Sequence, residues 1–67
     1  MLILVNNKSC ELPAIATVAD MLDRSGVQNT SGVAVAVNSD VIPRDSWPTH
    51  ELRENDKIMI IKATQGG

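Results

Sequence analysis

Only one segment of this sequence has the spacing of an amphipathic helix, and this limits what the chain can fold into. Thr17 offers an N-cap hydroxyl, and Asp20 follows three residues later at capping-box spacing. Gly26 is placed to end the helix. Three apolar residues between them fall on one helix face: Val18, Met21 and Leu22. A single short helix covers one face of a β-sheet, so the other face needs a different cover or stays open.

Short strand patterns account for most of the remaining chain. They are predicted at residues 2–5, 10–14, 33–37, 41–42 and 57–62. Pro13 cannot donate to a strand ladder, so the second strand is expected at a sheet edge or to end there. The most apolar strands are the first and the last, which are expected to pair at the centre of the sheet. The order ββαβββ, a mixed sheet with one helix on one face, is an α+β arrangement that resembles the β-grasp, ubiquitin-like fold.

Period-two alternation assigns the residues of each strand to opposite faces. The helix-covered face predicts a core of Ile3, Val5, Val18, Met21, Leu22, Val35, Val37, Leu52, Ile58 and Ile60. The opposite face, which we call the open face, carries Leu2, Leu4, Ala34, Ala36, Met59 and Ile61. No further element remains to cover it, so these six residues are predicted to form a partner-docking face. The alternative is that the long segment 43–55 folds over them.

Charge and aromatic content argue against nucleic-acid binding. The net charge is -2, the isoelectric point is about 5.0, and the six basic residues are scattered. Phosphate contacts need clustered lysines and arginines. Trp47 is the single aromatic residue, so stacking on bases is not expected either. No nucleic-acid partner is therefore predicted.

The residues that carry metal or catalytic chemistry are few. Cys10 is the single cysteine and His50 the single histidine, which excludes an intrachain disulfide and the usual metal-binding patterns. A chain of 67 residues rarely holds a catalytic pocket. We therefore predict no catalytic residue, no metal and no cofactor bound by this chain. The apolar runs are too short for a bilayer and no signal peptide is recognisable, so a cytoplasmic location without a membrane partner is expected.

The last residues, Gly66 and Gly67, follow an apolar strand and a short polar spacer. Residues 1–63 are predicted to form the domain, and residues 64–67 a flexible tail. Because glycine lacks a side chain, such a tail can enter a narrow channel of another protein and adopt the backbone conformation found there. Gly67 would present an unhindered carboxylate for activation. Taken alone, two terminal glycines are weak evidence and favour a frayed end.

Four features together resemble the ThiS family, the sulfur carrier proteins of thiamine biosynthesis. The first strand runs from Met1 to Asn6, and residues 33–38 read Val-Ala-Val-Ala-Val-Asn. Residues 41–47, Val-Ile-Pro-Arg-Asp-Ser-Trp, match the V/I-P-R-x-x-W stretch of the family and are its most specific part. The diglycine at residues 66–67 completes the resemblance. It covers the whole chain, although residues 7–32 match in pattern more than in identity.

The resemblance implies that the chain is a protein cosubstrate and not an enzyme. An E1-like adenylyltransferase would use ATP to convert the Gly67 carboxylate to an acyl-adenylate. A cysteine desulfurase-linked sulfur donor would then replace AMP, and the resulting thiocarboxylate would give its sulfur to thiazole synthase. Gly66 would allow access, and Thr64 and Gln65 would line the channel of the partner enzyme.

Other functions remain compatible with the residues themselves. A carrier for molybdopterin or another sulfur-containing product shares the diglycine, and so does a protein modifier that is joined to lysines through Gly67. A noncovalent β-grasp interaction module would not need the diglycine. Cys10 is interpreted as a small hydrophobic strand residue, and Trp47 as the anchor that pins the irregular segment to the sheet.

Overall fold

The computed structural model describes residues 1–26 and 31–62, which form one five-stranded sheet and one helix. The elements in chain order are β1 (Leu2–Val5), β2 (Lys8–Glu11), α1 (Val18–Arg24), β3 (Val33–Val37), β4 (Asp40–Ile42), a 3-10 turn (Arg44–Ser46) and β5 (Lys57–Lys62). This is the predicted order ββαβββ. The predicted boundary at residue 63 and the tail 64–67 lie outside the described residues.

The strand order in the sheet is β2-β1-β5-β3-β4. β1 and β5 run parallel, with Val5 opposite Ile58, and the other neighbours are antiparallel. The two most apolar strands therefore pair near the centre of the sheet, as predicted. β2 is an edge strand that ends at Glu11, two residues before Pro13, which agrees with the expected effect of the proline.

Two asparagine-led turns fix the start of β2 and of β4. Asn6 and Asn7 have φ values of 50° and 69°, and Asn38 and Ser39 have φ values of 50° and 76°. Two consecutive residues with positive φ are typical of the two-residue hairpin turn that matches strand twist. β2 therefore begins at Lys8, so the sequence-based range of 10–14 was wrong, and β4 begins one residue earlier than predicted.

The predicted capping box at the start of α1 is present. The backbone N–H of Asp20 donates to the Thr17 hydroxyl at 3.2 Å, and the N–H of Thr17 donates to the Asp20 carboxylate at 2.9 Å. Ser25 caps the other end, and Gly26 follows with φ 78°. At seven residues the helix depends on packing for its stability. No helix within the described ranges is long and apolar enough to cross a membrane.

The core lies between the helix and one face of the sheet. Eight of the ten predicted core residues are buried, and Val5 and Ile60 are half-buried against the same cluster. The core also includes residues that the alternation did not assign: Leu12, Ala16, Val33, Ile42 and Trp47. Three of these lie outside the regular strands, where no periodicity marks the buried side chain.

The segment between β4 and β5 packs on the helix side of the sheet. The N–H of Val18 donates to the His50 carbonyl at 3.0 Å, and the N–H of Leu52 donates to the Ala16 carbonyl at 2.8 Å. Trp47 and Leu52 are both buried in the core cluster. The large apolar side chains of the long segment therefore pack in the core and do not cover the open face.

Candidate functional site

The strand registers bring the six residues of the open face together. Ala36 lies opposite Met59, and Ala34 lies opposite Ile61. Leu4 lies opposite Lys57 on the parallel β1–β5 pair, with Leu2 two residues earlier on the same strand face. The face therefore extends without interruption across the three central strands, β1, β5 and β3.

Large apolar side chains on this face are exposed. Leu2 is 47%, Met59 52% and Ile61 50% exposed, and Leu4, Ala34 and Ala36 are half-buried. Monomeric proteins seldom leave a contiguous apolar patch unused, so this geometry favours a partner surface. Docking by these residues remains a prediction.

Sequence analysis missed one apolar member of this surface. Val41 is 70% exposed and lies opposite Ala36 on the edge strand β4. A strand pattern of two residues carries no alternation, so the face of Val41 follows only from the register that the Asn38–Ser39 turn imposes.

A depression of about 210 Å³ lies at one end of the open face, where β5 begins. Its apolar wall includes Leu4, Ala36 and Met59, and its rim includes the two hairpin turns and Lys57. The Asn38 side chain holds this end in place. Its amide donates to the Asp56 carboxylate at 3.0 Å, and its carbonyl oxygen accepts from the backbone N–H of Lys57 at 3.0 Å.

The Asn6 side chain extends the pairing between β1 and β5. After β1 turns away, the side-chain oxygen of Asn6 accepts from the Ile60 N–H at 2.8 Å, and its nitrogen donates to the Ile60 carbonyl at 3.4 Å. The amide thus occupies the hydrogen-bonding position of a further strand residue. It secures β5 two residues before the strand ends at Lys62, which is also the base of the predicted carrier tail.

Removing this amide is expected to weaken the end of β5. The substitution Asn6→Gly tolerates the positive φ but removes both exposed hydrogen bonds to Ile60, so we expect the free energy of unfolding to fall by about 0.5–1.5 kcal/mol. Asn6→Asp keeps one acceptor and should lose less. Urea denaturation gives the stability, and amide hydrogen exchange at Ile60 reports the local effect. Equal stability of Asn6→Gly and the parent chain would contradict the role given to the amide.

The segment with the most specific resemblance has a structural anchor. Trp47 is 6% exposed, and its indole N–H donates to the Ile42 carbonyl at 3.0 Å. The Arg44 guanidinium lies over the Trp47 ring at 5.0 Å from the ring centroid, within the range of a cation–π contact. The predicted anchoring role of Trp47 is confirmed.

The remaining candidate residues are placed as follows. Cys10 is a free thiol on β2, half-buried against the core and opposite Ile3, as its interpretation as a strand residue requires. His50 is half-buried beside the start of α1. Within residues 1–26 and 31–62, no group of three or more His, Cys, Asp or Glu side chains could hold a metal ion.

The predicted reactive terminus lies outside the described residues. This applies to Gly67, to Gly66 and to the two predicted channel residues, Thr64 and Gln65. The structure carries the chain to Lys62, which lies opposite Val33 on β3. Lys62, the last described residue, therefore lies at the opposite end of β5 from Lys57, which lines the depression.

Comparison with known proteins gives the family. The model of the ThiS family matches residues 3–67. The sulfur carrier protein ThiS of Escherichia coli (strain K12) is 31% identical over 67 residues, and the match covers all of both chains. The chain therefore belongs to the ThiS family, which confirms the resemblance drawn from the sequence and the interpretation as a small carrier protein rather than an enzyme.

Solved structures agree on the fold. The crystal structure of the thiamine biosynthesis protein ThiS from Geobacter metallireducens superposes with a TM-score of 0.85 at 22% identity, and the match covers 100% of both chains. A solution structure of a thiamine biosynthesis protein from the same organism gives 0.79 at 22% identity, over 100% of this chain and 88% of the other. The predicted β-grasp fold is confirmed.

Proposed function

We propose that this chain carries sulfur for thiamine biosynthesis as a thiocarboxylate on Gly67. The observation that carries the proposal is the family match, which extends to residue 67 and so includes the terminal diglycine. The fold supports it, since β5 leads directly from the centre of the sheet toward that terminus. The chain is then a substrate of its partner enzymes rather than a catalyst.

The proposed chemistry has four steps. An E1-like adenylyltransferase joins the Gly67 carboxylate to the AMP part of ATP and releases pyrophosphate. The terminal sulfur of a persulfide, formed by a cysteine desulfurase-linked donor, attacks the acyl carbon and displaces AMP. A thiol then reduces the acyl disulfide, which leaves the thiocarboxylate. Thiazole synthase takes the sulfur, and the Gly67 carboxylate is regenerated.

Each part of the chain has a role in this proposal. Gly66 and Gly67 allow the end of the chain to enter a narrow active site, because they present no side chain. Thr64 and Gln65 line the channel of the partner enzyme. The open face supplies the larger contact that brings the adenylating enzyme to the tail, and ATP binds to that enzyme and not to this chain.

Intact-mass spectrometry tests the proposal. The chain is incubated with ATP, a sulfur source and the adenylating enzyme of its host, next to a variant that lacks Gly67. We expect a mass gain equal to the exchange of one oxygen for one sulfur, and none in the shortened variant. If the mass of this chain does not increase although the same enzyme adenylates its known carrier, the proposal is contradicted and a noncovalent interaction module is favoured.

The Cys10 thiol is not expected to handle sulfur. Cys10 packs against the core through β2, so Cys10→Ser exchanges a small apolar group for a polar one of similar size. We expect full thiocarboxylate formation in the same mass assay, measured on folded protein. Complete loss of sulfur transfer in folded Cys10→Ser would show that the thiol takes part.

A further inference from the structure

We propose that the adenylating enzyme docks on the open face by placing a carboxylate on Lys57 and one large apolar side chain in the adjacent depression. This inference rests on the proposed function, because it specifies the chemistry of the partner surface. It concerns the end of the sheet where β5 begins, at Lys57.

Lys57 is the cation of the open face. It is exposed and lies opposite Leu4, at the rim of the depression. The neighbouring Asp56 carboxylate already accepts from the Asn38 amide at 3.0 Å and from the Arg53 N–H at 2.8 Å. Across the described ranges no hydrogen bond or ion pair engages the Lys57 ammonium. A cation set among apolar side chains and lacking an internal partner is suited to an acidic group on another protein.

The depression gives the surface a shape that a flat sheet lacks. Leu4 on β1, Met59 on β5 and the small Ala36 on β3 line it, and the volume of about 210 Å³ accommodates one large aliphatic or aromatic side chain. Side chains that enter such pockets are frequent energetic centres of protein interfaces. We therefore expect the partner surface to present a large apolar side chain next to a carboxylate.

A second copy of this chain fits the same surface poorly. In a two-fold symmetric dimer each patch meets its own equivalent. A dimer centred on the depression would bring two Lys57 ammonium groups together, and like charges at an interface oppose association. The exposed carboxylate of the open face, Glu11, lies opposite Leu2 on the edge strand β2 and does not line the depression. The charge at the depression therefore favours a different, acidic partner over self-association.

The position of Lys57 predicts which kinetic constant changes. Lys57 and Lys62 are the two ends of β5, separated by roughly 17 Å at about 3.3 Å per strand residue. Five more residues separate Lys62 from the Gly67 carboxylate. A contact that forms equally in the ground state and the transition state raises KM when it is lost and leaves kcat unchanged, and this is the result we expect for Lys57.

The test measures adenylation of the carrier by ATP–pyrophosphate exchange. We expect Lys57→Glu to raise the KM for the carrier by about tenfold or more, and Lys57→Arg to stay near the parent value. Lys8→Glu is the matched control, because Lys8 is also exposed but lies opposite Val5, on the helix side of the sheet. It makes the same charge change away from the open face.

Two alanines on β3 test the depression. Ala36 lines it, whereas Ala34 is on the same face and strand but outside it. We expect Ala36→Leu to raise KM by about tenfold and Ala34→Leu to have a clearly smaller effect. Circular dichroism confirms that each variant is folded before its kinetics are compared.

The outcomes separate this inference from the proposed function. If the parent chain is adenylated and KM is the same for Lys57→Glu and Lys8→Glu, the Lys57 contact is wrong and the carrier function stands. Equal effects of Ala36→Leu and Ala34→Leu would reject the depression as the anchor site. Absence of adenylation of the parent chain by a demonstrably active enzyme would reject the proposed function.

Discussion

Replacement of Trp47 with alanine is expected to lower the free energy of unfolding by about 3–5 kcal/mol. The indole is buried in the core and its N–H donates to the Ile42 carbonyl at 3.0 Å. A domain of 67 residues has a total stability of about 3–10 kcal/mol. The substitution would therefore remove about a third or more of that stability.

Trp47→Phe is the control for this experiment. It keeps most of the buried ring and loses the hydrogen bond, so a smaller loss of about 1–2 kcal/mol is expected. Far-UV circular dichroism in urea is the suitable measurement, because Trp47 is the single aromatic residue and its removal eliminates the fluorescence probe. A loss below 1 kcal/mol in Trp47→Ala would contradict its role as the anchor of the segment after β4.

Much of the fold could be predicted because its signals are local. Alternation marks the central strands, and the N-cap hydroxyl of Thr17 with the carboxylate of Asp20 defines the helix start. These patterns lie within one helical turn or one strand, so they can be recognised without knowing which elements pack against each other in the fold. The opposite faces of β1 and β5 followed from the same alternation.

Some parts that could not be predicted depend on contacts distant in sequence. The Asn6 amide reaches Ile60 across 54 positions of the sequence, and the depression forms where the two hairpins meet β5. Two other differences come from the exact geometry of local turns: the Asn6–Asn7 turn moved β2 two residues toward the N-terminus, and the Asn38–Ser39 turn sets the β3–β4 register that exposes Val41. The apolar pattern within one segment carries none of this information.

The candidate site likewise has one part that local patterns predict and another part that they do not. The open face could be predicted from alternation and from the presence of one helix pattern. Lys57 shares the alternation of Met59 and Ile61, but its position opposite Leu4 at the rim of the depression follows only from the register of β1 and β5. The role of Gly67 came from the family resemblance and not from any local physical signal.

Two adjacent residues of β5 allow the stability of the fold and its proposed docking to be separated. Ile58 is 3% exposed in the core, and Met59 is 52% exposed on the open face. Ile58→Ala should lower the free energy of unfolding by about 2–5 kcal/mol. Met59→Ala should change it by about 0.5 kcal/mol or less, because it creates no cavity in the core. Trp47 fluorescence in urea measures both values.

The two substitutions should have the opposite order of effects on partner binding, with the larger effect from the change at Met59. Met59→Ala is expected to raise the KM for adenylation by about tenfold, since an exposed apolar side chain at an interface centre contributes through burial against the partner. Ile58→Ala, assayed at a temperature where it is folded, should keep a KM near the parent value. If both substitutions destabilise the domain equally, the two faces are not distinct. If Met59→Ala is stable and binds normally, the open face is not the docking surface, and the partner enzyme must recognise the carrier through its tail or another side of the domain.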